Sequence, residues 1–433
     1  MLRHYHFQKY ALSALVKALI GTFLFLLIYL FSNTQLVKIF AEDVPFDLLH
    51  KVILESDAVE VDAPNVMVFG LDDVYLKNEG LLDEHNQSHY GDFLPRDKIA
   101  SFIKKLDLFI EGLDENKRPL ALFLDYDFSF TSSAYNVFET KEDQALIETL
   151  KAQRSYKILI PKNKTYNYIE SSKDKKIQAL IARQNIVFVS VDLAQSKEFV
   201  TKRYVSFSTY RHSVTDKNQS YVNVSVALWQ LAKDKNVSIE AFSEQNVVQN
   251  RIIIKAYEKS SLQESSSHKQ SKWKNFNYYS ADYPLNSIVS ERFENSLLLL
   301  GDSSSASSDV FNVPVTANNG RLSGVEVHAH TLMTLFYVDG SLKSYGLVGS
   351  LLFLFILFFL IDFFINILFL KFQITKFGYQ LMISLFMITF FMFLFSWIVM
   401  LVYQEWFNWF IAVLLFEAIE GLEFLERRVL HKN

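Results

Sequence analysis

The sequence contains no cysteine in 433 residues. That absence excludes a disulfide scaffold, a thiol nucleophile, an iron–sulfur cluster and any thiolate zinc site. A surplus of one charge is also missing: 43 Lys and Arg stand against 47 Asp and Glu, a net charge of −4. Without a basic face or stripe there is no footprint for nucleic acid, and none is expected as a partner. No glycine-rich phosphate loop occurs, and no G-x-S-x-G surrounds Ser303-Ser304-Ser305. No internal repeat is found. Half of the residues are hydrophobic, which excludes disorder of the whole chain.

The apolar residues that are present are unevenly placed. Of the 40 Phe, 18 lie in the 83 residues from Leu351 onward. A helix needs roughly 20 mostly apolar residues to cross a bilayer. Four stretches satisfy this: 11–32, 345–370, 381–402 and 406–425. The first holds one charge, Lys17, and its end at Phe31-Ser32-Asn33 offers no small-residue cleavage signal, so it reads as an uncleaved anchor. Only Asp362 and Asn366 interrupt the second. The third has no charge, and the fourth contains Glu417, Glu420 and Glu423.

Lys and Arg in short flanking segments mark the cytoplasmic side. They fall at Arg3 and Lys9 (segment 1–10), Lys371 and Lys376 (371–380), and Arg427, Arg428 and Lys432 (426–433). With four spans all three sets share one side. The expected topology is multi-pass in the inner (cytoplasmic) membrane with both termini cytoplasmic. The large segment 33–343 and the turn 403–405 then lie outside, in the periplasm or extracellular space. Trp397, Trp406 and Trp409 flank the outer turn, as an interfacial aromatic belt would.

Within 33–343, short apolar runs read as buried strands: Val66–Leu71, Leu120–Leu124, Tyr156–Ile160, Ile186–Val191, Arg251–Ala256 and Ser296–Leu300. Helical spacing of apolar residues appears in Lys98–Leu113, Glu142–Gln153 and Val222–Lys235. This alternation predicts an α/β extracytoplasmic domain with a largely parallel sheet, joined to an α-helical membrane bundle of four spans. Glu258–Lys274, rich in Ser, Lys and Gln, reads as an exposed insertion.

Four strands run into acids: Asp72-Asp73, Asp125-x-Asp127, Asp192 and Asp302. Ligands of open α/β sheets bind beyond the carboxyl ends of strands, where such acids would hold a cation or a polyol. The plainer reading is that Asp caps the following turn or helix.

The segment resembles the second class of CHASE domain, an extracytoplasmic sensor of bacterial signalling receptors. The resemblance rests on Val66-Met-Val-Phe-Gly-Leu-Asp72-Asp73, Leu94-Pro95-Arg96, Leu122-Phe-Leu-Asp125, and Leu297-Leu-Leu-Leu-Gly301 followed by Asp309, Pro314 and Gly324-Val-Glu-Val-His328-Ala329-His330. The family usually has Asn where His330 stands. One anchor before the domain and three spans after it also match. Relatives typically continue into a cytoplasmic kinase or cyclase module, for which residues 426–433 leave no room. The expectation is therefore a signal passed through the membrane helices to another protein.

Other chemistry is weakly supported. Asp125-Tyr-Asp127 resembles the first motif of the haloacid-dehalogenase phosphatases, but no paired acids and separate Lys follow it. His328 and His330 are two apart, on opposite faces of a strand and about 200° apart on a helix, so they do not share a metal from a regular element. No metal or other cofactor is expected. His328 is instead expected to fix the start of the last helix of the outer domain through a hydrogen bond. The expected ligand-side residues are Asp72, Asp125, Asp302 and Asp309, with Arg96 countering the acids.

Charges inside spans usually face other helices or water. At 1.5 Å per residue, Lys17 lies about 22 Å from the outer boundary, Asp362 about 25 Å and Glu420 about 22 Å. Lys17 is thus expected to pair with Asp362 or Glu420, with the remaining acids, Glu417 among them, facing a partner helix. Snorkelling to the cytoplasmic surface is the alternative. The leading expectation is a non-enzymatic sensory membrane protein whose outer domain binds a small molecule or periplasmic protein. Its partners would be the bilayer, another membrane protein (a signalling enzyme or a multi-span complex) and further copies of itself. The alternatives are an assembly factor for a transporter or ion-driven motor and, remotely, an extracytoplasmic hydrolase.

Overall fold

A computed structural model of the chain describes residues 2–30, 58–83, 85, 95–129, 140–162, 167–191, 213–216, 219–234, 255, 257, 268–305, 307, 309–313, 321–337, 339, 347–372, 377–403, 413–419 and 421. The chain divides into two units, His50–Ser341 and the two flanking segments Met1–Leu49 with Leu342–Asn433.

In the flanking unit, α1 spans Leu2–Leu30. In the central unit the elements in chain order are β1 (Val66–Leu71), α2 (Asp73–Asn78), α3 (Arg96–Glu111), β2 (Ala121–Asp125), α4 (Lys141–Leu150) and β3 (Lys157–Pro161). They continue as α5 (Lys175–Ala182), β4 (Ile186–Val189), the hairpin β5 (Ser213–Asp216) and β6 (Gln219–Tyr221), and α6 (Val224–Asp234). Last come β7 (His268–Gln270), β8 (Phe276–Ser280), β9 (Leu297–Asp302), β10 (Val310–Asn312), β11 (Arg321–Ser323) and α7 (Gly324–Tyr337). Seven strands form one sheet in the order β4-β3-β2-β9-β1-β8-β7. All neighbours are parallel except the edge pair β7–β8.

Strands covered on both faces must be apolar along their whole length. β1 and the first five residues of β9 are buried throughout. One face carries Met67, Phe69, Leu71, Leu122, Leu124, Leu298 and Leu300, packed with Ile99, Phe102, Ile103 and Leu106 of α3 and Leu146 and Leu150 of α4. On the other face, a Cβ added to Gly301 would stand 2.5 Å from the Val325 Cβ of α7. Only glycine permits that helix to lie so close to β9.

Val66–Leu71 appears with the expected bounds and the other expected strands appear with ends shifted by a residue or two, except Arg251–Ala256, most of which lies outside the described residues. β8 has no counterpart among the expectations, because Phe-Asn-Tyr-Tyr-Ser interleaves polar groups that read as solvated. It is nevertheless fully buried. Asn277 accepts from Arg292 Nη1 at 2.7 Å, and Ser280 donates to Asp72 at 2.8 Å. The reading of Glu258–Lys274 as an exposed insertion is also corrected. Residues 268–270 form the antiparallel edge strand, and Trp273 is wholly buried. Residues 258–267 are outside the described set.

In the flanking unit, α8 (Leu347–Lys371) and α9 (Phe377–Tyr403) follow α1, and residues 413–419 are helical. By length and composition, Leu354–Lys371 and Met382–Val399 are long and apolar enough to cross a membrane, while Ala11–Leu24 is a shorter apolar stretch. Ala14 and Ala18 are fully buried. With Gly21 they form a strip of small residues at helical spacing, which lets helix backbones approach closely. A Cβ on Gly21 would meet the Phe358 ring of α8 at 3.0 Å.

Candidate functional site

Parallel register fixes which acids can meet. Leu71 pairs with Asp302, and Asp125 pairs with Gly301, so the carboxyl ends of β1, β9 and β2 finish side by side. β9 is inserted between β1 and β2, and this is where the sheet changes its direction of winding. Crevices at such points are the usual ligand sites of open α/β sheets. Asp72, Asp125 and Asp302 therefore share one edge of the sheet.

Asp72 is a cap. Its Oδ1 accepts from Tyr75 N at 3.0 Å and from Ser280 Oγ at 2.8 Å, and its Oδ2 accepts from Tyr278 Oη at 3.1 Å. These three donors hold the carboxylate in the N-cap of α2. The plainer of the two readings describes this residue, and a ligand would have to compete with α2 for it. Gly70 beside it allows the close approach of Tyr278 and Ser303, which hydrogen-bond each other at 2.7 Å.

Asp125 differs. No described group donates a hydrogen bond to its carboxyl, and burial followed by the charges of Asp309 and Asp302 pushes its pKa well above the usual carboxylate range. Asp302 is raised by burial, against the hydrogen bonds it accepts from Ser304 and Ser307. Its Oδ1 accepts from Ser304 N at 2.9 Å, an Asx-type turn. Asp309 lies on an exposed stretch just before β10, yet its carboxyl end is turned in against Gly324, where a side chain would collide with it. Burial of that end, then Asp302, raises its pKa.

Arg96 does not counter these acids. Its guanidinium donates to the Asp127 carbonyl, lies 4.6 Å above the centre of the Phe128 ring, and feels Tyr168, Asp143, Asp127 and Tyr126. Burial is the largest influence on it and lowers its pKa. Arg96 opens α3 directly after Pro95 at the N-cap, and its contacts lie in the segment after β2. Asp143 itself is engaged in a capping box with Thr140.

Tyr126 carried no sequence signal of a role, being simply the middle of the Asp-x-Asp. Its ring is packed in the core, it is 9% exposed, and its hydroxyl has no hydrogen-bond partner. Burial, then Asp302 and Asp125, raises its pKa. Among the described residues, no three His or carboxylate groups come together closely enough to hold a metal ion.

His328 does not fix the start of α7. Its ring is buried edge-on to Phe123 at 5.7 Å, its Nδ1 is without a partner, and burial lowers its pKa to about 4. The start is held by Glu326, whose Oε2 accepts from Ser323 N at 3.0 Å and Ser323 Oγ at 2.7 Å. The Ser-x-x-Glu spacing of a capping box was present in the sequence as the signal for this. His330 packs against Phe276 and Tyr257, and its Nδ1 accepts from Lys255 N at 3.5 Å.

In the flanking unit, Lys17 Nζ stands 3.0 Å from Asp362 Oδ1, with side-chain exposures of 12% and 3%. Asn366 Nδ2 donates to Asp362 Oδ2 at 2.9 Å and to its carbonyl at 2.9 Å. Glu417 is half-buried on the helical stretch 413–419, and Glu420 lies outside the described residues.

A family model described as the CHASE2 domain matches residues 22–361. No curated protein and no solved structure matches the chain.

Proposed function

The chain belongs to the CHASE2 domain family of extracytoplasmic sensor domains, and from that premise we propose that it is a non-enzymatic sensory membrane protein. The α/β unit binds a small ligand outside the membrane, at the carboxyl ends of β2 and β9. The observation that carries this reading is the register that brings Asp125 and Asp302 to the carboxyl ends of adjacent strands, where the sheet changes its winding, with the Asp309 carboxyl within electrostatic reach of both. Partly buried carboxyls gathered at the end of a sheet, Asp125 among them without a described donor, cost free energy to desolvate. A site that binds a ligand gives them a purpose.

In this proposal α1, α8, α9 and the stretch 406–425 are four membrane spans with both termini in the cytoplasm. Ligand binding shifts their packing, which requires that the ligand prefer one of two arrangements. A separate membrane protein receives the signal. Crosslinking with mass spectrometry in native membranes tests the reading. The expected main neighbour is a histidine kinase or a nucleotide cyclase, with crosslink yield altered by Asp125→Asn. A channel or motor subunit that disappears when this chain is deleted would replace sensing by an assembly role.

A further inference from the structure

The acids at the edge of the sheet have no cation among the described residues. Asp125 feels only like charges from Asp309 and Asp302, and the influences on Asp302 and Asp309 likewise include no Lys or Arg. Arg96, the basic residue that acts on Tyr126, is turned toward Asp127 and Phe128. A second feature is independent of the acids. The Tyr126 hydroxyl sits in a side chain only 9% exposed, without a hydrogen-bond partner, within electrostatic reach of Asp302 and Asp125. A buried hydroxyl left unpaired costs free energy, and a group supplied from outside would relieve it.

The donor set limits what that group is. No three carboxylates or histidines are gathered as metal ligands among the described residues. Once ionised, these carboxylates accept hydrogen bonds and donate none, so a partner that brings both donors and positive charge is the one that stabilises them together. An ammonium group has three N–H donors and no acceptor. Asp309 is exposed, which gives such a ligand an entrance, whereas Tyr126 is buried.

We infer that this edge of the sheet binds a small organic cation, a primary amine or diamine, between the carboxylates of Asp125, Asp302 and Asp309 and the hydroxyl of Tyr126. The inference rests on the proposed sensory role and names the ligand class of the same site. Burial raises the pKa of all three carboxyls in the free protein, and a bound ammonium favours their ionised forms, so amine binding is coupled to proton release.

Calorimetric titration of the full chain in detergent with putrescine tests this, run at pH 6.5 in two buffers of different ionisation heat. The expected result is saturable binding with proton release to the buffer. Asp125→Asn should weaken it by about tenfold or more, the effect of one charge-assisted hydrogen bond. Asp309→Asn, at an exposed position, and Tyr126→Phe should each weaken it several-fold, with melting curves recorded for every variant. Asp127→Asn should leave it unchanged, since that carboxylate caps the turn at Ser129 (2.7 Å) and acts on none of the three acids. Absence of putrescine binding, binding indifferent to both Asp125→Asn and Asp309→Asn, or binding of calcium in its place would overturn the inference. If putrescine fails while crosslinks to the membrane neighbour still change on adding periplasmic extract, the sensory reading stands and only the ligand class falls. If neither responds, both fall.

Discussion

Asp72 and Asp125 follow or end strands that flank β9, and the same residue type at the same edge meets opposite surroundings. Asp72 accepts three hydrogen bonds from Tyr75, Tyr278 and Ser280. Replacing it with Ala removes a helix cap and leaves two buried hydroxyls short of an acceptor, a cost of about 2–4 kcal/mol. Denaturant unfolding of the full chain in detergent measures this, and a loss below about 1 kcal/mol would count against the capping role. For Asp125, burial without a donor makes stability depend on pH. Its folded pKa is raised above the unfolded value, so the native state holds the proton more tightly and stability falls as pH rises past about 4. Asp125→Asn should therefore flatten the decline in melting temperature as pH rises above about 4. His328 acts in the other direction. Its folded pKa of about 4 lies below the unfolded value of 6.5, so stability is lost as pH falls from 6.5 toward 4, by up to about 3 kcal/mol. His328→Phe, next to Phe123, should remove that acid sensitivity. The Asp-after-strand pattern was legible in the sequence. Which Asp is capped was not, because the partners of Asp72 lie 206 and 208 positions away on β8.

At the scale of elements, strands with uninterrupted apolar runs were readable because burial on both faces leaves no polar position. β1, β2, β3, β4 and β9 all have that form or nearly so. β8 was hidden because its Asn277, Tyr278 and Ser280 are satisfied only by residues brought in by the fold. Helix-to-sheet packing makes a sharp test at Gly301. Gly301→Ala places a methyl 2.5 Å from the Val325 Cβ, so α7 must lift, at a cost of about 1–3 kcal/mol. Hydrogen exchange should show loss of protection concentrated in α7. The α1–α8 pair makes another. Removing one member of a buried ion pair leaves an uncompensated charge and costs about 3–5 kcal/mol, whereas replacing both by apolar groups is often neutral. Lys17→Met or Asp362→Leu alone should reduce folded yield in membranes, and the double change should restore it. A double variant as poor as either single one would remove the pairing of Lys17 with Asp362 as a stabilising contact.

At the scale of the molecule, the absence of cysteine becomes a tool. The native chain has no background for thiol labelling, so each introduced cysteine reports one position. The proposed topology requires Lys104→Cys, on the exposed side of α3, to react with a membrane-impermeant maleimide in intact cells. Lys371→Cys, at the exposed end of α8, should react only after permeabilisation. These two positions separate outside from inside, while His431→Cys counts the spans. With 406–425 in the membrane, position 431 is cytoplasmic and silent in intact cells. Without that span position 431 lies outside and the label appears. This stretch is the one to test for a physical reason: Glu417, Glu420 and Glu423 recur at i, i+3 and i+6, and each ionised carboxylate near the centre of a helix opposes insertion by about 2.5–3.5 kcal/mol. Arg427 and Arg428 oppose translocation from the other end, since basic residues beside a span resist leaving the cytoplasm. The two effects conflict only if the glutamates face lipid. If they face other helices, the basic pair decides the orientation, and silence at position 431 in intact cells is the outcome expected.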